Sequence, residues 1–306
     1  MSIPILIDCD PGHDDAIAIL LALASPEVEL RAVTTVAGNQ TLEKTTRNAL
    51  KVLELAGRAD IPVAAGADRP LRRTLRTAAH VHGESGLDGP ALPEPTARPV
   101  DAHAADLLAE LIEPGVVLVP TGPLTNVALL LERHPDVRDR LERIVWMGGA
   151  IAEGNVTPAA EFNAFVDPEA AAAVFGSGIP VTMIGLDITH QALFTRAHAD
   201  RLRVTGTAGR VVAELSDFFQ LFHEQRYGMD GSPIHDALAV AHVIDPTLVT
   251  TLHCNIAIET ASQHCDGRTV VDRWLVTDAP RNAHAGIAVD AQRFLELLVE
   301  RIGSLA

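Results

Sequence analysis

The chain has 306 residues, 47% of them hydrophobic and 21% charged, with 40 Asp and Glu against 24 Lys and Arg and a formal net charge of −16. That composition supports a large buried core and excludes bulk disorder; its acidity excludes a protein built to grip a phosphate backbone, so no nucleic-acid partner is expected. The three cysteines, Cys9, Cys254 and Cys265, have no CxxC spacing, which excludes a disulfide framework and a zinc cage.

Residues 3–7 form a short β-branched apolar run that predicts a buried strand. Pro11-Gly12 turns the chain, and residues 16–24 predict an apolar helix. A second strand is expected over 30–36, ending at Gly38-Asn39, then a helix over 41–55 stopped by Gly57. Further strands are expected at 61–64, 116–119, 143–147 and 180–184, with helices at 102–112, 124–131 and 168–175 between them. Residues 72–98 lack periodicity and read as an insertion or a site loop rather than a domain boundary. In the last third, helices are expected at 209–226, 235–243 and 291–302, with late, antiparallel strands at 254–259 and 269–276. Residues 227–233, with Tyr227, read as a loop. Strands alternating with helices specify an α/β fold, an open and mostly parallel sheet with helices on both faces. With no linker or repeat, residues 1–306 read as a single domain. Asp8 and Asp10 interrupt the N-terminal apolar run, and no run is long enough to span a bilayer, so a cytoplasmic protein with no membrane partner is expected.

Four carboxylates fall within Asp8-Cys9-Asp10-Pro11-Gly12-His13-Asp14-Asp15, at the carboxyl end of the first strand. That edge is where open α/β sheets bind ligands. Asp8 and Asp10 share a face because a strand has a period of two, and Gly12 lets the turn bring Asp14 and Asp15 back toward them. Helix capping accounts for two of these acids but not for four. Clustered carboxylates repel one another, and a divalent cation keeps them ionised; a set of oxygen ligands favours Ca²⁺ or Mg²⁺ over Zn²⁺. Asn39, Thr121 and Met147 lie at other strand ends, where each alone reads as a turn, a cap or a core residue. Glu161 and Asn163 precede a helix start at Asp167-Pro168 and read equally as a solvated loop. In His235-Asp236 the acid is either a helix cap or a metal ligand, and the imidazole can supply a proton. His82, in the loop, has an exposed position as its plainest reading.

Segment 8–16, DCDPGHDDA, resembles the signature of the inosine-uridine type nucleoside hydrolases. The resemblance continues in order through VAGN (36–39), HG (82–83), TGPLTN (121–126), WMGGA (146–150), AEFNAFVDPEAA (160–171) and HDALAV (235–240), nearly the whole chain. It implies a Rossmann-like core and hydrolysis of the N-glycosidic bond of a ribonucleoside to free base and ribose. It also implies one Ca²⁺ held by Asp10, Asp15, Asp236 and the Thr121 carbonyl, with Asp10 as general base on the attacking water. Asp14 and Asn39, assisted by Asn163, would hold the ribose 2- and 3-hydroxyls, and Asn155 and Glu161 the 5-hydroxyl. Met147 would pack on the sugar, Asp8 would support the acids from behind, and His235 would help the base depart. His82 and Tyr227 are base-side candidates, Tyr227 as a lid residue or an ordinary loop aromatic. The family suggests a homodimer or homotetramer. Two alternatives stand beside this reading. One is a non-catalytic nucleoside or ribose binder. The other is a haloacid dehalogenase-type phosphatase, which also begins with DxD but needs a downstream lysine, and the only lysines here are Lys44 and Lys51.

Overall fold

The structure, a computed structural model, describes residues 2–305. Its strands are β1 (Ile3–Cys9), β2 (Val28–Thr35), β3 (Val63–Ala65), β4 (Val117–Pro120), β5 (Arg143–Met147), β6 (Val181–Ile184), β7 (Leu193–Phe194), β8 (Ser232–Pro233), β9 (Val249–Cys254), β10 (Ile256–Ile258), β11 (Thr269–Val271) and β12 (Ala283–Val289). Eight of them form one sheet in the order β3-β2-β1-β4-β5-β6-β12-β9. All neighbours in it are parallel except β9, which runs antiparallel to β12 at the edge.

Alternation along the strands sorts their side chains into two cores. Ile5, Ile7, Val119 and Val145 join the helices His13–Ala24, Asp236–Ile244 and Ala291–Gly303 on one face. Leu6, Leu118, Ile144 and Trp146 join Ala104–Leu111, Thr125–Arg133 and Pro168–Phe175 on the other. Truncating one such fully buried aliphatic side chain to alanine costs about 2–5 kcal/mol.

The connections place the site. From β1 the chain steps outward through β2 to β3, then crosses to β4 on the other flank of β1. Loops leaving β1 and β4 therefore diverge, and a crevice opens between them at the carboxyl ends, the ordinary ligand position in an open α/β sheet. The Thr121 N–H donates to the Asp8 carbonyl across this junction at 2.8 Å.

Most expected elements are present within a few residues, and the strand at 143–147 matches at both ends. Three regions differ. The expected late strands form a small antiparallel ribbon, β10 with β11, outside the main sheet. β11 stops at Val271 because Asp272 knots the next turn: its carboxylate accepts from the N–H groups of Val276 (2.8 Å) and Thr277 (2.9 Å). The strands that do complete the sheet, β9 and β12, were not expected as such. Finally, Tyr227 is not in a loop. It is the last residue of the helix Thr207–Tyr227, which Gly228 ends in the left-handed conformation (φ 65°).

Candidate active site

The end of β1 delivers Asp8 and Asp10, the turn reverses the chain, and the first helical turn presents Asp14 and Asp15. Asp15 folds back over the turn. One of its oxygens accepts from the Gly12 N–H at 2.9 Å and from the Asn39 amide at 3.2 Å, and the other from the Thr121 hydroxyl at 2.7 Å. Asp236 arrives at the start of a helix far along the chain, and its carboxylate meets those of Asp14 and Asp15, with oxygens of all three within 4.8 Å of one another. This trio pairs Asp14 with the two expected ligands more closely than Asp10. Asp10 sits beside it: Oδ2 accepts from the Asn39 N–H at 2.6 Å, while buried Oδ1 has no partner. Gly38 and Gly122 make room for it, since a Cβ would fall 2.1 Å from Oδ2 in the first case and 2.6 Å from Oδ1 in the second. Asp8 lies behind, accepting from Thr34 Oγ1 at 2.6 Å and Asn126 Nδ2 at 2.8 Å.

Burial dominates the electrostatics. It pushes the Asp8 carboxyl up to about 7 and raises those of Asp10, Asp14, Asp15 and Asp236, with repulsion from neighbouring carboxylates adding to burial in each except Asp15, where hydrogen bonds partly offset it. No Lys or Arg lines the cavity. An unpaired buried carboxylate oxygen, an all-oxygen donor set and the absence of a cationic side chain suit a hard divalent cation.

Above the acids lies an open cavity whose lining combines polar and aromatic side chains. Its polar end holds Asn39, Met147 and Asn163. The Asn163 amide donates to the Thr121 carbonyl at 2.7 Å and to the Met147 carbonyl at 3.0 Å, so the oxygen expected to bind metal already has one donor. Glu161 is buried as the N-cap of the helix Phe162–Val166, and its carboxylate accepts from the N–H groups of Gly149, Asn163 and Ala164. Burial raises its carboxyl to about 7. Asn155 is exposed at the mouth and accepts from the Phe162 N–H at 3.0 Å.

The other end is aromatic. His82 is not exposed: it is 6% accessible, ends a short helix Ala79–His82, and approaches His13 Nδ1 at 3.1 Å, while His13 Nε2 reaches the Asp88 carbonyl at 2.8 Å. Of the aperiodic segment 72–98, Ala78, His80, Val81 and His82 line the cavity. Tyr227, partly exposed, closes the rim near Phe222 and His223. His235 is buried against His190, and its Nδ1 lies 2.7 Å from the Thr189 hydroxyl. Burial, reinforced by neighbouring histidines, holds its ring far below the usual value, so it faces the cavity neutral rather than as an imidazolium.

Sequence reasoning missed His190, His223 and Phe219, which also line the cavity. A signal existed for His190, which follows the carboxyl end of β6, the edge where ligands were already expected. None existed for His223, whose place depends on how the long helix packs.

A crevice at the sheet's switch point, with buried acids beneath a cavity of mixed polar and aromatic lining, is the arrangement of an enzyme that acts on a small molecule. The model of the inosine-uridine preferring nucleoside hydrolases matches residues 5–296, and the chain belongs to that family. It is 52% identical over 310 residues to the pyrimidine-specific ribonucleoside hydrolase RihA of Photobacterium profundum, covering 99% of this chain and 100% of the relative. Among solved structures it resembles a purine-preferring ribonucleoside hydrolase from Gardnerella vaginalis (36% identity, TM-score 0.93, 99% and 98% of the two chains). It also resembles the plant nucleoside hydrolase PpNRh1 (34% identity, TM-score 0.93, 99% and 100%). Both the phosphatase alternative and the non-catalytic binder give way to this membership. Among the described residues, no helix is long and apolar enough to cross a membrane.

Proposed function

We propose that this nucleoside hydrolase cleaves the N-glycosidic bond of pyrimidine ribonucleosides with water, releasing the base and ribose, and that its cation is calcium. The observation that carries the reading is the unpaired, buried Asp10 Oδ1 beside three converging carboxylates at the cavity floor. The pyrimidine preference follows the name of the 52% identical relative; the purine-preferring structure is less similar, at 36%.

Asp10, Asp15, Asp236 and the Thr121 carbonyl would hold calcium, which would polarise a water and steer it toward the sugar. Asp10 takes the proton from that water as its oxygen bonds to C1. Its buried Oδ1, which has no hydrogen-bond partner, is free to accept that proton. The C1–N bond breaks with its electron pair passing to the base, and the carboxylates around the ribose stabilise the positive charge that grows on the sugar. Asp14, Asn39 and Asn163 hold the 2- and 3-hydroxyls, Glu161 and Asn155 the 5-hydroxyl, and Met147 packs on the ring. These contacts fix the sugar for attack. Asp8 orients the floor through Thr34 and Asn126. His235, His82 and Tyr227 surround the base.

The same reading takes residues 1–306 as one domain, supported by one sheet that joins β1 to β12. It places the chain in the cytoplasm, supported by three free cysteines, and as a homodimer or homotetramer by family likeness. The test is release of ribose from uridine, cytidine, inosine, adenosine and guanosine, each with calcium and with a chelator. Calcium-dependent release, fastest from uridine or cytidine, is expected. No release from any of the five by folded, calcium-loaded protein would overturn the reaction, and a faster rate on inosine would overturn the base preference.

A further inference from the structure

Thr189 lies outside the cavity, is fully buried, and ends the short helix Leu186–Thr189. Among the described residues its hydroxyl has one hydrogen-bond partner, His235 Nδ1 at 2.7 Å. A buried hydroxyl whose proton meets no acceptor has lost its hydration without replacement, which is costly. If Nδ1 bore a proton, Thr189 would have to accept it and its own proton would be stranded. If Nδ1 is bare, Thr189 donates to it and nothing is unsatisfied. A bare Nδ1 leaves the single ring proton on Nε2, the other nitrogen of a ring that lines the cavity. The geometry points to Thr189 as a positioning residue that locks His235 in the Nε2–H tautomer, so that the departing base receives a hydrogen bond rather than a proton.

The inference rests on the proposed reaction and refines its leaving-group step. As the C1–N bond breaks, negative charge spreads over the base. The Nε2–H group donates to an acceptor on it and keeps its own proton. The base is finally neutralised by the proton that water gave up, so the balance closes with His235 unchanged. Such a donor serves bases that leave as stabilised anions bearing carbonyl oxygens, uracil foremost. It serves adenine poorly, because adenine leaves well only after it has been protonated.

The tautomer is read from the ring-nitrogen NMR spectrum of histidine-labelled enzyme, with His235 assigned by loss of its signals in His235→Gln. Nε2 protonated and Nδ1 bare is expected; a protonated Nδ1 overturns the proposal whatever the kinetics. Turnover is then compared on uridine and on p-nitrophenyl riboside, whose leaving group departs without help from a donor. Thr189→Val is expected to lower kcat on uridine about 10-fold and to leave kcat on p-nitrophenyl riboside within about 2-fold. Thr189→Ser, which keeps the hydroxyl, restores uridine turnover. Equal losses on both substrates, or no loss on uridine, overturn the positioning role. Wild-type enzyme that releases no ribose counts against the reaction instead, and the ring spectrum still decides the tautomer.

Discussion

Gly38→Ala is a sharp test of the site, because its effect can be worked from one distance. Gly38 has no left-handed backbone angle, so alanine meets no conformational penalty, and the added carbon acts by contact alone. That carbon would lie 2.1 Å from Asp10 Oδ2, where real Cβ contacts do not fall below 3.0 Å. It would also lie 2.9 Å from Pro123 Cδ, which blocks retreat to the other side. The Asp10 carboxylate must therefore shift by about 1 Å and stretch its 2.6 Å bond from the Asn39 N–H. A misplacement of that size at a reacting group costs about 100-fold in rate, near 2.7 kcal/mol of barrier. The assay is kcat for ribose release from uridine at saturating calcium, with circular dichroism to establish folding. Gly176→Ala serves as control, since its nearest contact is 3.3 Å and lies far from the acids. A Gly38→Ala enzyme within about 2-fold of wild type would refute the claim that Asp10, as placed here, is the base.

Three further outcomes are expected. Folding raises the Asp8 carboxyl from 3.8 to about 7, and a carboxyl so raised stabilises the fold fully below its unfolded value and loses that contribution as pH climbs through its folded one. The proposed calcium would favour the ionised acids and oppose the loss, so the gap in melting temperature between protein with calcium and protein with a chelator should widen between about pH 4 and pH 7; a gap that stays constant would refute this. Replacing uridine by 2-deoxyuridine strands Asp14 and Asn39 without their hydroxyl partner and should lower kcat/KM by about 100-fold or more, and steady-state kinetics with equal efficiency on both would sink their ribose role. Glu161→Gln leaves one of three backbone donors facing an amide N–H, and urea titration should show a loss of about 1–3 kcal/mol together with a raised KM for uridine; unchanged stability would mean that the cap is dispensable.

The acids were legible in the sequence for a physical reason. A parallel sheet sends every strand's carboxyl end to one edge, so Asp8, Asp10, Thr121 and Met147 had to share that edge once the strands were recognised. The closure of Asp236 onto Asp14 and Asp15 was legible only through family likeness, because the sequence pattern has no term for a contact spanning most of the chain. β12 was invisible because its segment, Ala-His-Ala-Gly-Ile-Ala-Val, holds few β-branched residues; it is a strand because β6 and β9 flank it. Tyr227 was misplaced by one helical turn end, although Gly228 beside it was the ordinary stop signal. The neutrality of His235 and the hold of Thr189 upon it depend on burial and on a single 2.7 Å contact, neither of which leaves a mark on composition or spacing.

β1 lies in the middle of the sheet although it is first in the chain, and that has a consequence during synthesis. Residues 8–15 are made before β4, which gives the crevice its second wall, and before Asp236, which completes the carboxylate trio. Until then the N-terminal acids are hydrated, mutually repelling charges on an unfinished edge. A nascent chain released before the helix Asp236–Ile244 holds most of the acidic motif and no cation site. Closure of the carboxylate trio is thereby a signal that the last third of the polypeptide has arrived and packed.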